Sequence, residues 1–197
     1  YQSMDFNLIM WVEKSIMIVE NTSLDGVKII TPRVFEDDRG YFFETYKTPV
    51  FEEYELPTNF VQDNEAKSTK GVIRGLHYKL RHPQGKLVRV VSGSILDVAV
   101  DIRKGSPTFG LSEIVPLTVE NRKMLYIPEG FAHGYIVTSD EAIVTYKCTD
   151  VYDPNDQFGI IWNDETLGLD WEYDSPLLSE KDLMLPTLND QQFLPIY

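Results

Sequence analysis

The stretch Ser94-Ile95-Leu96-Asp97-Val98-Ala99-Val100-Asp101-Ile102 decides the fold class. Residues two apart share a face of an extended chain, so Leu96, Val98, Val100 and Ile102 form one face and Ile95, Asp97, Ala99 and Asp101 the other. Strict alternation of this kind reads as a β-strand. Toward the N-terminus, residues 86–92 read as a second strand, and the turn residue Gly93 predicts that the two pair as a hairpin. Toward the C-terminus, residues 141–148 alternate again and place Ala142, Val144, Tyr146 and Cys148 on one face. Further strands are expected over residues 28–35, 41–46, 72–78, 112–117, 124–127 and 134–138. Many short strands separated by Gly, Pro, Asn and Asp imply an all-β sandwich or jelly roll. Helix is expected only near residues 49–54 and 179–183, where Ser179 and Asp182 have capping-box spacing.

A length of 197 residues with 43% hydrophobic and 25% charged residues fits one globular domain, expected over residues 17–197. Residues 1–16 read as an N-terminal extension, in part vector-derived. Its apolar run Leu8 to Val12 is cut by Glu13 and Lys14, far short of the roughly 18 residues of a membrane span. No signal-peptide pattern precedes it. The single cysteine, Cys148, excludes an intrachain disulfide, and a reducing cytoplasm is expected. A net charge of -13 argues against nucleic acid as partner, because binding a polyphosphate backbone needs Lys and Arg. Yet between Ala66 and Leu96 stand Lys67, Lys70, Arg74, Lys79, Arg81, Lys86 and Arg89, with no Asp or Glu. Such an island suits a small anionic ligand; it also fits a solvated basic face.

The histidines are His77, His82 and His133. Imidazole, with an ordinary pKa of about 6.5, is the natural base near pH 7. His77 lies on a predicted strand within the basic island, and His133 opens a strand after the turn Pro128-Glu129-Gly130; either also fits a structural role. His82, between Arg81 and Pro83, reads as a surface residue. No His-x-His occurs, and Lys79, two residues after His77, would repel a divalent cation, so no metal is expected.

These motifs resemble the dTDP-4-dehydrorhamnose 3,5-epimerase family. The likeness runs from about Met17 to Leu188 through Asp38-Arg39-Gly40-Tyr41-Phe42-Phe43-Glu44, Gln62-Asp63-Asn64, Gly71-Val72-Ile73-Arg74-Gly75-Leu76-His77, Gln84-Gly85-Lys86, Ile127-Pro128-Glu129-Gly130-Phe131-Ala132-His133-Gly134, Tyr146-Lys147-Cys148 and Ser179-Glu180-Lys181-Asp182. The resemblance implies a cupin-like jelly-roll homodimer that needs no cofactor and acts on a dTDP-4-keto-6-deoxy sugar. It further implies His77 as base, Asp182 as the carboxylate orienting it, Lys86 beside the enolate oxygen and Tyr146 as acid. Without it, Asp182 reads as part of a helix cap and Tyr146 as a core aromatic. Arg74, His133 and Lys181 would bind the diphosphate or sugar; Arg39, Glu44, Gln62, Asn64 and Phe42 would hold the nucleotide, some from the partner protomer. One departure is Gln157, where family members often carry Glu. Two other classes stay open: a non-catalytic jelly-roll module binding nucleotide sugars or glycans, and a metal-dependent cupin oxygenase. Strict alternation would put Arg74 and His77 on opposite faces, so a shared pocket requires a bulge between them.

Overall fold

A computed structural model describes residues 17–197; the extension expected over residues 1–16 lies outside the described residues. Two antiparallel sheets face each other. The larger contains β1 (Met17–Asn21), β2 (Lys28–Pro32), β10 (Met124–Ile127), β7 (Lys86–Ser92), β12 (Glu141–Cys148) and β5 (Gln62–Thr69), in that spatial order. The smaller has the order β13 (Phe158–Gly159), β6 (Ile73–Tyr78), β11 (Phe131–Val137), β8 (Ser94–Asp101), β9 (Ser112–Thr118). β3 (Phe35–Asp37) and β4 (Gly40–Phe42) form a separate hairpin. Helix is confined to α1 (Thr48–Glu53), a 3-10 turn at Pro154–Asp156, and α2 (Glu180–Leu183). None is long and apolar enough to cross a membrane.

The alternation of β8 explains the layering. Ile95 and Ala99 face the larger sheet, in a core with Val88 and Val90 of β7, Leu125 and Ile127 of β10, and Ala142 and Val144 of β12. Val98, Val100 and Ile102 face the other way, against Ile73, Leu76 and Tyr78 of β6 and the C-terminal residues Ile160, Trp171 and Leu188. The smaller sheet is therefore buried on both faces. A third cluster lies outside the larger sheet, where Phe51 of α1 covers Ile30, Leu87 and Met124. Asp101, fully buried, accepts hydrogen bonds from Arg103, Ser106 and Thr108, which holds the loop leaving β8 and keeps its carboxyl at about 2 despite burial.

Several expectations need correction. β7 and β8 do not pair: β7 lies between β10 and β12, β8 between β11 and β9, and the chain switches sheets at Gly93. One residue cannot reverse the chain into a two-residue hairpin turn. It makes a tight corner instead, with Gly93 at φ 76° and so close to the turn between β11 and β12 that a β-carbon would lie 2.1 Å from the Glu141 carbonyl oxygen. The strand expected over 41–46 stops at Phe42, and that over 28–35 divides into β2 and β3. β1, β5 and β13 were not anticipated. β5, Gln62-Asp63-Asn64-Glu65-Ala66-Lys67-Ser68-Thr69, is an edge strand with little apolar surface on either face, so the alternation signal is absent.

Candidate active site

The site grows from β6. Opposite β11, His77 pairs with His133 and Arg74 with Tyr135, so three steps along β6 match two along β11. This is the bulge that the parity of Arg74 and His77 demands, and both side chains line one cavity. Gly75 occupies the bulge at φ 135°, against β11 so closely that a β-carbon would meet Gly134 Cα at 2.5 Å and the His133 oxygen at 2.9 Å. Only glycine fits there.

His77 Nε2 lies 2.8 Å from Asp182 Oδ1. An ionised carboxylate can only accept, so Nε2 carries the hydrogen and Nδ1 keeps its lone pair. Asp182 is 5% exposed. Burial raises its pKa, but the His77 hydrogen bond and charge, with Ser179 and the Gly75 N–H, outweigh that and hold the carboxyl below its ordinary value. Asp182 also has the expected place in the helix cap, its backbone N–H donating to Ser179 Oγ at 3.1 Å. The two roles use different atoms.

Across from His77 the larger sheet contributes Lys86 of β7 and Tyr146 of β12, and both face the cavity. Burial pushes the Tyr146 phenol up, with Cys148 adding and Arg74 opposing, so the hydroxyl keeps its proton near neutrality. Burial pulls the Lys86 ammonium down; Cys148 and Asp97 oppose this and Lys79 reinforces it. His133, 7% exposed, binds Asp97 Oδ1 at 2.8 Å, and burial lowers its pKa more than Asp97 raises it. The cavity has two lobes, of about 280 and 530 Å³, meeting at His77, Lys86, His133, Tyr146 and Gln157. Base-capable and acid-capable groups thus reach one space from opposite sheets.

Of the other residues singled out, Gln62 and Asn64 line the smaller lobe, and Arg74 and Lys181 the larger. Arg39, Phe42 and Glu44 line neither. Arg39 is exposed and paired with Asp37 at 2.5 Å, Phe42 is 64% exposed on the β3–β4 hairpin, and Glu44 pairs with Lys47 at 3.5 Å. His82 is a surface residue near Asp150, as expected. The basic island divides: Arg74, Lys79 and Lys86 face the cavity, while Lys67 and Arg81 pair with Glu141 and Asp156. Gln157 accepts from Lys181 at 2.6 Å and from the Tyr152 hydroxyl at 3.2 Å across the mouth. Sequence reasoning missed Asp97 as the partner of His133 and missed Tyr152 in the lining. Asp97 carried a signal, an acid on the same face as Ile95 and Ala99. Among the described residues no group of three or more His, Cys, Asp and Glu is disposed to hold a metal.

Comparison with known proteins places the chain in a family. The family model described as dTDP-4-dehydrorhamnose 3,5-epimerase matches residues 21–190. A protein of that name from Methanothermobacter thermautotrophicus is 51% identical over 179 residues, covering 89% of this chain and 95% of its own. Among solved structures, dTDP-6-deoxy-D-glucose-3,5-epimerase of Legionella pneumophila in complex with dTDP-4-keto-L-rhamnose superposes with a TM-score of 0.88 at 47% identity, covering 92% of this chain and 98% of its own. A 3'-monoepimerase from Streptomyces bikiniensis in complex with dTDP-quinovose is similar at TM-score 0.85 and 34% identity, covering 89% and 92%.

Proposed function

The chain belongs to the dTDP-4-dehydrorhamnose 3,5-epimerase family of isomerases, and from that premise we propose that it inverts C3 and C5 of dTDP-4-dehydro-6-deoxy-D-glucose in dTDP-L-rhamnose biosynthesis. The observation that carries the reading is the His77–Asp182 pair facing Tyr146 and Lys86 across one cavity.

The C4 ketone acidifies the hydrogens on C3 and C5. His77 Nδ1 takes the proton, and Asp182 stabilises the imidazolium through the hydrogen bond at Nε2. The electron pair of the broken C–H bond moves into an enolate whose charge gathers on O4, where the Lys86 ammonium stabilises it. Tyr146 returns a proton to the opposite face, which inverts the carbon; solvent restores the phenol and removes the proton from His77. The cycle consists of proton transfers and is redox-neutral, so it calls for no cofactor. Arg74, His133 and Lys181 bind the diphosphate and sugar, with Gln62 and Asn64 at the nucleotide.

Arg39, Phe42 and Glu44 belong to this reading as groups that one protomer lends to its partner in a homodimer. The exposed β3–β4 hairpin, whose Arg39, Tyr41 and Phe42 line neither lobe of its own cavity, supports that role. We take residues 17–197 as one cupin-like jelly-roll domain of a cytoplasmic enzyme.

Solvent deuterium tests the reaction. Incubating dTDP-4-dehydro-6-deoxy-D-glucose with the protein in heavy water should label C3 and C5, read by NMR, and His77→Ala should abolish exchange at both. Label at one carbon only would identify a mono-epimerase, and label at neither would refute the reading.

A further inference from the structure

Lys79 is one of the few charged side chains buried among the described residues, at 9% exposure. It follows His77 by two residues, just past the end of β6, and both line the smaller lobe of the cavity. None of the ion pairs among the described residues includes it. Its Nζ donates to the Val151 carbonyl oxygen at 2.7 Å, which uses one of three ammonium hydrogens. The lobe around it holds the amides of Gln62, Asn64 and Gln84 and a second ammonium, Lys86. The carboxylate there is Asp153, which already accepts from the Asn155 N–H at 2.8 Å.

A buried cation without a carboxylate is costly in the empty protein and is offset by an anion that arrives with the ligand. We propose that Lys79 is a substrate-binding cation, supplying positive charge to the diphosphate of the bound nucleotide sugar. The proposal rests on the nucleotide-sugar reading of the cavity. A purely structural alternative is that Lys79 only ties Val151, and with it Tyr152 and Gln157, to β6.

Charge and tether separate by substitution. Lys79→Gln keeps an N–H donor for the Val151 carbonyl and loses the charge; Lys79→Met loses both. Binding of dTDP to the full chain, measured by calorimetry at low and high salt, gives the answer, with thermal midpoints reporting whether each variant is folded. Lys79→Gln should raise the Kd for dTDP about ten- to a hundredfold at low salt, the scale of a lost hydrogen bond to a charged group, and flatten its salt dependence. In turnover, KM should rise by a larger factor than kcat falls. An unchanged Kd in Lys79→Gln with loss confined to Lys79→Met would overturn the proposal in favour of the tether. Weakening that leaves the salt slope at its wild-type value would overturn it too. If the wild-type chain does not bind dTDP, the nucleotide-sugar reading itself falls, and this proposal with it.

Discussion

His77 and Asp182 are 105 positions apart in sequence, yet their ring nitrogen and carboxylate oxygen stand 2.8 Å apart. The pair is held from both sides, His77 by the β6 bulge and Asp182 by its helix cap. Because the folded carboxyl is held below its ordinary value, the unfolded chain binds that proton more tightly. The stability this carboxylate contributes is therefore complete above about pH 4 and is lost as pH falls through the lower folded value. Asp182 is thus ionised throughout any neutral assay. Asp182→Asn keeps an oxygen that accepts from Nε2 but removes the charge that stabilises the imidazolium. We expect kcat to fall by about 10²- to 10⁴-fold with the fold retained, checked by steady-state kinetics alongside circular dichroism.

At the level of elements, β6 shows what alternation reveals and where it stops. The parity of Arg74 and His77 already demanded an irregularity between them, and Gly75 is the residue that carries it. Gly75→Ala would drive a β-carbon into the β11 backbone at Gly134, with no flexible side chain to give way. The expected cost is about 3 kcal/mol or more, seen as a lowered midpoint in chemical denaturation, with activity reduced because His77 and His133 face each other across that contact. β8 and β12 were legible because each packs an alternating apolar face into the core. β5 was not, because its inward residues Gln62 and Asn64 face the cavity and carry no apolar signal. The hairpin expected at Gly93 failed for a different reason: local sequence reports that the chain turns, and which sheet receives it depends on neighbours far along the chain.

For the whole molecule, the two sheets enclose the cavity, each supplying one side of the proposed proton relay, but the β3–β4 hairpin contributes nothing to it within one chain. If the hairpin completes the partner's site, Arg39 and His77 of one site belong to different protomers. Arg39→Ala and His77→Ala homodimers should both be impaired at low substrate concentration. Equal mixing of the two chains by co-expression should restore about a quarter of wild-type activity, since half the dimers are mixed and each has one intact site. Activity no greater than that of the two parents would show that the site lies within a single chain.

The sequence by itself determined the all-β class, through alternation that survives in any strand with an apolar face. It also carried the family resemblance from which the proposed site was named, because the blocks around Arg74, His77, Lys86, Tyr146 and Asp182 stand in order along the chain. Only the tertiary structure decided which sheet each strand joins, that His133 is paired with Asp97, and that Lys79 is a buried cation without a carboxylate partner among the described residues. Those facts depend on contacts between distant segments, where burial and spacing set both charge and geometry; the local pattern marks Asp97 as an inward-facing acid but does not name its partner.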